Sequence, residues 1–186
     1  METINNLLTR RSIAQLQDPT PSKDKMHLVY QAALRAPDHS WIRPWRFIEV
    51  TGKGRDRLAQ SFINVSQKDE EIDDEKKIKI TSLPFRAPMI IIIAAEITIK
   101  PNVPRIEQIQ STAAATQNIL LALHDMGFGA YWRTGKYTTE NSKYIAEELS
   151  LSSKTEVLGY LYVGTPSTDP KAIPSLQNED FVTNWN

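Results

Sequence analysis

The stretch Arg35-Ala-Pro-Asp-His-Ser-Trp-Ile-Arg-Pro-Trp-Arg-Phe-Ile-Glu-Val50 decides how the chain is read. It holds the end of a helix, a turn and the start of a strand. Pro37 has no N–H with which to continue a helix, and it pushes Ala36 out of the α region. Pro44 then fixes the backbone just before Trp45 to Val50, whose residues alternate as a strand does. Between the prolines stand Asp38, His39, Trp41 and Arg43. Stiff backbone, cations and flat rings together suit a planar, anionic ligand. The plainer alternative is a surface loop whose tryptophan anchors in the core.

Upstream, residues 2 to 9 read as a short amphipathic helix with Ile4, Leu7 and Leu8 on one face. It runs into Arg10-Arg11-Ser12. Adjacent arginines on a helix point about 100° apart, so they do not share one salt bridge easily. The planar guanidinium fork suits phosphate, and Ser12 adds a hydroxyl; solvated cations at a helix C-terminus are the alternative. Ser22 can cap a helix whose buried stripe is Met26, Val29, Ala33 and Ala36.

Downstream, Gly52-Lys53-Gly54 is a turn without the Lys-Ser or Lys-Thr of a P-loop. Residues 55 to 66 read as a helix carrying Leu58, Phe62 and Val65. The highly charged stretch 68 to 79 predicts an exposed helix, with Asp73–Lys77 and Glu75–Lys79 as acid-before-base pairs. A mobile cover over a pocket is its functional alternative. Met89 to Ala95, apolar throughout and preceded by Pro88, predicts a central strand buried on both faces. Residues 105 to 126 predict the longest helix, small or apolar on nearly every side and therefore interior or at a subunit interface. Gly127 fits the position just past its end. A short strand follows at Phe128 to Gly135, a helix over 139 to 149 and a strand over 156 to 163. The last twenty-odd residues, with Pro166, Pro170 and Pro174, lack periodicity yet hold Phe181 and Trp185, which a disordered tail seldom needs. The expectation is that 165 to 186 packs on something, such as a second subunit.

The chain has 186 residues, room for one domain with a real core but not two. Lys plus Arg and Asp plus Glu are both 22, which argues against nucleic-acid binding by bulk charge. No cysteine is present, so disulfides and thiol chemistry drop out. No apolar run approaches a membrane span and no signal peptide is evident, so the expected location is cytoplasmic. The histidines at 27, 39 and 124 share no metal-ligand spacing, and no nucleophile elbow exists. No residue is singled out as catalytic. Hard chemistry without such groups points to a cofactor.

Five segments then occur in register: Leu8-Thr-Arg-Arg-Ser12, Ala32-x-x-Arg35-Ala-Pro-Asp-His39, Arg43-Pro-Trp-Arg-Phe47, Pro84-Phe-Arg-Ala-Pro88 and Gly127-Phe-Gly-Ala-Tyr-Trp-Arg-Thr-Gly135. Together they resemble the FMN-dependent nitroreductase family, in its short YdjA-like NAD(P)H nitroreductase branch. The resemblance runs through Gly159 to Pro166 and the Phe181-Val-Thr183 ending. It implies an α+β fold over residues 1 to 186, a mixed sheet flanked by helices, in an intertwined homodimer with FMN sites shared between subunits. It implies that Arg10, Arg11 and Ser12 hold the FMN phosphate and ribityl chain. Arg35 and His39 would contact FMN from the other subunit, and Trp132, Arg133 and Thr134 would line the isoalloxazine. Nicotinamide contacts would fall near Ala122 to Gly127. The implied activity passes hydride from NADH or NADPH through FMN to a nitroaromatic, quinone or similar small-molecule acceptor, with ping-pong kinetics. A non-redox FMN-binding or flavin-delivery protein is the alternative. Arg43 stands where the family often has Gln, Asp38 where many members have Ser or Asn, and Ile106 where close relatives have an aromatic, which leaves acceptor preference open.

Overall fold

The computed structural model describes residues 2–138, 141–169 and 171–185. In chain order its helices are α1 (Thr3–Thr9), α2 (Lys23–Ala33), α3 (Gly54–Asp69), α4 (Asp74–Ser82), α5 (Arg105–Asp125) and α6 (Ser142–Glu148). The strands are β1 (Leu16–Gln17), β2 (Trp45–Thr51), β3 (Met89–Glu96), β4 (Gly129–Arg133) and β5 (Thr155–Pro166). The class is α+β, as expected. Every strand pairing within the chain is antiparallel, in the order β1-β5-β3-β2 with β4 also on β5.

The isoleucine run explains the layering. Side chains alternate along a strand, so β3 feeds two cores at once. Ile91 and Ile93 pack under α2 and α5 with Val29, Ile119 and Leu161. Ile90 and Ile92 pack under α3, α4 and α6 with Phe62, Ile80 and Ile145. The sheet therefore lies between two helical layers, and a strand serving both needs apolar residues at every position.

Helix ends follow their local chemistry. Ser22 Oγ accepts from Lys25 N, as an N-cap should. At the end of α5, Gly127 takes φ +81°. Its N–H reaches His124 C=O and the Phe128 N–H reaches Leu123 C=O, which is the Schellman pattern. That turn sends the chain directly into β4.

Two readings change. The charged stretch 68 to 79 is not one helix: α3 ends at Asp69 and α4 starts at Asp74, because Asp73 caps the new helix through Lys76 N. Glu70, in the break, receives Lys76 and Lys136, and these ammonium groups hold its carboxylate down at about 2. Trp41 does not anchor in the core; it is 80% exposed. The apolar face of α1 is not covered by its own chain, since Ile4, Leu7 and Leu8 are all exposed. The same holds for Phe181 and Trp185 in the tail. Of the helix expected over 139 to 149, positions 139 and 140 lie outside the described residues, as does Pro170.

Candidate functional site

Past α1 the chain runs extended along the end of the sheet. Ile13 N–H donates to Ala130 C=O of β4, and Ser167 N–H, just after β5, donates to Gln15 C=O. Gly129 makes this approach possible, because a Cβ there would sit 2.7 Å from Leu16 Cδ2. Between this segment and the chain beyond β5 lies a cavity of about 550 Å³. Arg10, Arg11 and Ser12 line one side, with Thr168, Asp169 and Lys171 opposite. Asp169 is the only carboxylate in the described lining. Arg11 Nη1 donates to Lys171 C=O at 2.8 Å, while its buried Nε has no acceptor. His124 completes the corner: its Nε2 lies 3.0 Å from Thr9 Oγ1. Burial, then the positive charges of Arg10 and Arg11, push the imidazole below its ordinary range.

Ala14 and Gln15 also line a second cavity, of about 420 Å³, so the two adjoin along this segment. Its other walls are Arg86, Tyr131, Arg133 and Tyr162. Tyr131 and Tyr162 face each other across the β4–β5 pairing. Burial raises the Tyr162 phenol, and Arg133 and Arg86 work against that rise.

The turn after β4 is held firmly. Gly135 takes φ +129°, and Thr138 Oγ1 donates to its carbonyl at 2.7 Å. Tyr137 stacks on Phe62 with ring centroids 4.1 Å apart, and its carbonyl accepts from Tyr160 Oη at 2.8 Å.

The structure gathers Arg10, Arg11 and Ser12 at one cavity and sets Arg133 at the adjoining one. Trp132 follows the strand alternation to the opposite face, against the α2–α5 core and over Gly159. Thr134 is exposed just beyond the strand end. Arg35 and His39 line neither cavity. His39 Nδ1 pairs instead with Glu107, at a shallow pocket shared with Asp38 and Ser111. The loop around it is strained, with Ser40, Trp41 and Arg43 all in the left-handed region. Asp38 Oδ2 accepts from Arg43 N–H at 2.7 Å, and the Arg43 guanidinium lies over the Trp41 ring.

Two contributors carried no role in the sequence reading. Arg86 stood inside the Pro84–Pro88 bracket, and two prolines around one cation were the available signal. Lys171 lay in a stretch without periodicity, which gave none. Among the described residues no three His, Asp or Glu side chains gather as a metal site, and no helix is long and apolar enough to cross a membrane.

The nitroreductase family model matches residues 7–165. The Escherichia coli (strain K12) protein named "Putative NAD(P)H nitroreductase YdjA" is 35% identical, with 98% of this chain and 99% of that protein covered. Among solved structures, a nitroreductase-like family protein from Bacillus cereus superposes with a TM-score of 0.83 at 21% identity, covering 100% of this chain and 96% of that one. An FMN-dependent nitroreductase from Clostridium difficile R20291 gives 0.68 at 28% identity, covering 98% and 99%.

Proposed function

The chain belongs to the nitroreductase family, and on that premise we propose that it is an FMN-dependent oxidoreductase passing hydride from NADH or NADPH to a nitroaromatic, quinone or similar acceptor. The observation that carries this reading is the pair of cavities that adjoin along Ala14 and Gln15, with Arg10, Arg11 and Ser12 in one and Arg133 in the other. The FMN-dependent C. difficile relative supports it. The donor set fits the group. Two guanidiniums, a lysine and two hydroxyls surround the first cavity, and the buried Arg11 Nε lacks the acceptor that a phosphate oxygen would provide. The second cavity adds paired tyrosines for an apolar wall and further cations.

Bound there, FMN supplies the two-electron chemistry that the side chains lack. The chain's own residues bind, orient and set the local charge. Arg10, Arg11 and Ser12 take the phosphate end. The backbone from Trp132 to Thr134, held by the Gly135–Thr138 turn, supports the ring. Arg35 and His39 line neither cavity, and we assign them to the FMN of a partner subunit in a homodimer.

Steady-state rates with varied NADH or NADPH and a nitroaromatic or quinone acceptor test the reading. Parallel double-reciprocal lines are expected, because one small site must serve both substrates in turn. Acceptor-independent oxidation, or none with either nicotinamide, contradicts it.

A further inference from the structure

Residues 40 to 43 follow a backbone course that their side chains do not favour. Ser40, Trp41 and Arg43 stand at φ +59°, +56° and +52°. A Cβ makes this region unfavourable, most of all beneath a bulky ring, and glycine would take it without that strain. The loop is nonetheless pinned from several sides. Asp38 Oδ2 accepts from Arg43 N–H at 2.7 Å, Arg46 Nη1 donates to Arg43 C=O at 3.1 Å, and Lys100 Nζ donates to Ser40 C=O at 3.3 Å. Arg46 is itself anchored, with Nη2 2.7 Å from Glu96 Oε2. Backbone strain that neighbours hold in place in this way goes with ligand sites.

The pinned loop displays an indole and a guanidinium. Trp41 is 80% exposed, and Arg43 Cζ lies 5.4 Å from the centroid of its ring. That contact orients the cation. The carboxylates nearby are engaged elsewhere: Asp38 by the Arg43 backbone, Glu96 by Arg46 and Glu107 by His39. The Arg43 guanidinium has no carboxylate partner among the described residues. An exposed aromatic face beside an uncompensated guanidinium matches a flat ring carrying an anionic group. The ring stacks on the indole, and the guanidinium takes the anionic oxygens in a paired hydrogen bond.

We propose that Trp41 and Arg43 form an acceptor-selecting subsite, which favours nitroaromatics or quinones bearing a carboxylate over their neutral counterparts. The inference rests on the reading that His39 serves the FMN of a partner subunit. Trp41 stands two residues beyond His39, at most about 7 Å along the chain, so an acceptor at that flavin is within the indole's reach. An electron-poor nitroaromatic ring stacks on electron-rich indole, and its carboxylate meets Arg43.

The test is equilibrium binding of 4-nitrobenzoate and 4-nitrobenzamide to the oxidised, FMN-loaded protein by titration calorimetry, with no nicotinamide present. The parent is expected to bind the carboxylate about tenfold more tightly than the carboxamide, through a charge-assisted hydrogen bond. Arg43→Gln removes that preference, and Arg43→Lys keeps part of it. Trp41→Ala weakens both compounds about fivefold, by loss of stacking. The indole N–H resonance that is missing from Trp41→Phe shifts when 4-nitrobenzoate is added to the parent. A parent that binds neither compound, or binds them alike, overturns the proposal. So does an Arg43→Gln protein that retains the preference, or a Trp41 resonance that does not move. Loss of FMN from either variant also overturns it, by making the pair a cofactor anchor. If Trp41→Ala does not fold, Trp41→Leu and the resonance decide in the same way. Failure of the underlying reading shows separately: parent flavin that neither NADH nor NADPH reduces removes the oxidoreductase activity, while the binding results decide the subsite. Parent protein that binds no FMN removes both readings at once.

Discussion

Burying a guanidinium N–H without an acceptor costs roughly 1–3 kcal/mol, and Arg11 Nε is in that position beside the cavity it lines. A bound phosphate removes the penalty. The Arg10→Ala, Ser12→Ala double variant should therefore weaken FMN binding by about 2–4 kcal/mol through lost charge-assisted hydrogen bonds, read by titration of flavin fluorescence. Unchanged affinity would move the phosphate elsewhere. His124 gives an independent reading of the same charge. Burial, then the two arginines, push its pKa down, so protonation opposes the folded, FMN-free state: the contribution is present above the ordinary imidazole range and fades as pH falls through it. A phosphate beside Arg10 and Arg11 cancels part of their field. The His124 titration, followed by NMR, should move upward when FMN is added, and a downward or absent shift contradicts the placement. At this scale the sequence was readable where residue type carries chemistry, as at Arg10 to Ser12. At Arg86 the proline bracket was the one local signal, and it could not distinguish a solvated arginine from one that long-range folding turns into a cavity.

At the scale of elements, the strand–turn units place the site, and Gly159 is the critical contact. A Cβ there would come within 2.0 Å of Trp132 Nε1 and 3.1 Å of Arg133 C=O. Gly159→Ala should thus push β4 off β5 and cost on the order of 1–3 kcal/mol as an overpacked interior, with a parallel loss of FMN affinity. Denaturant unfolding of the apoprotein together with FMN titration checks both; an unchanged midpoint would show that Trp132 moves freely. Periodicity made these elements legible. The Met89–Ala95 run, the α2 stripe and the long α5 appear where 2.0- and 3.6-residue patterns put them. The break between α3 and α4 was hidden because Asp73 serves two patterns. As an i,i+4 partner of Lys77 it favours a continuous helix, and as a cap it starts a new one; the cap prevails. The strain at Ser40, Trp41 and Arg43 was hidden too, since none of these residues favours positive φ.

For the whole molecule, surface area is the informative quantity. One chain exposes 11,666 Å², whereas a compact monomer of its mass exposes about 9,000 Å². The excess goes with α1, where Ile4, Leu7 and Leu8 are uncovered, and with a tail whose Trp185 is 99% exposed. Apolar surface of this kind marks a contact with another chain. The proposed homodimer, with each tail lying across the partner, would account for it and would bring Arg35 and His39 toward the other subunit's FMN. Deleting residues 176 to 186 should then weaken the dimer and FMN retention together, because binding to the dimer alone stabilises it by mass action. Sedimentation with flavin quantitation checks this, and a truncated monomer retaining stoichiometric FMN contradicts it. The sequence leads one to expect that the tail packs on something, since aromatics in a proline-rich tail are otherwise costly, and the truncation tests that expectation.

The claim that joins these scales is that the cationic cavities hold a flavin which a dihydronicotinamide reduces. Anaerobic stopped-flow mixing of the FMN-loaded protein with NADH and with NADPH tests it most directly. The account predicts loss of the visible flavin absorbance with at least one of them, and its return when a nitroaromatic or quinone is added. Flavin that stays oxidised with both nicotinamides would contradict it.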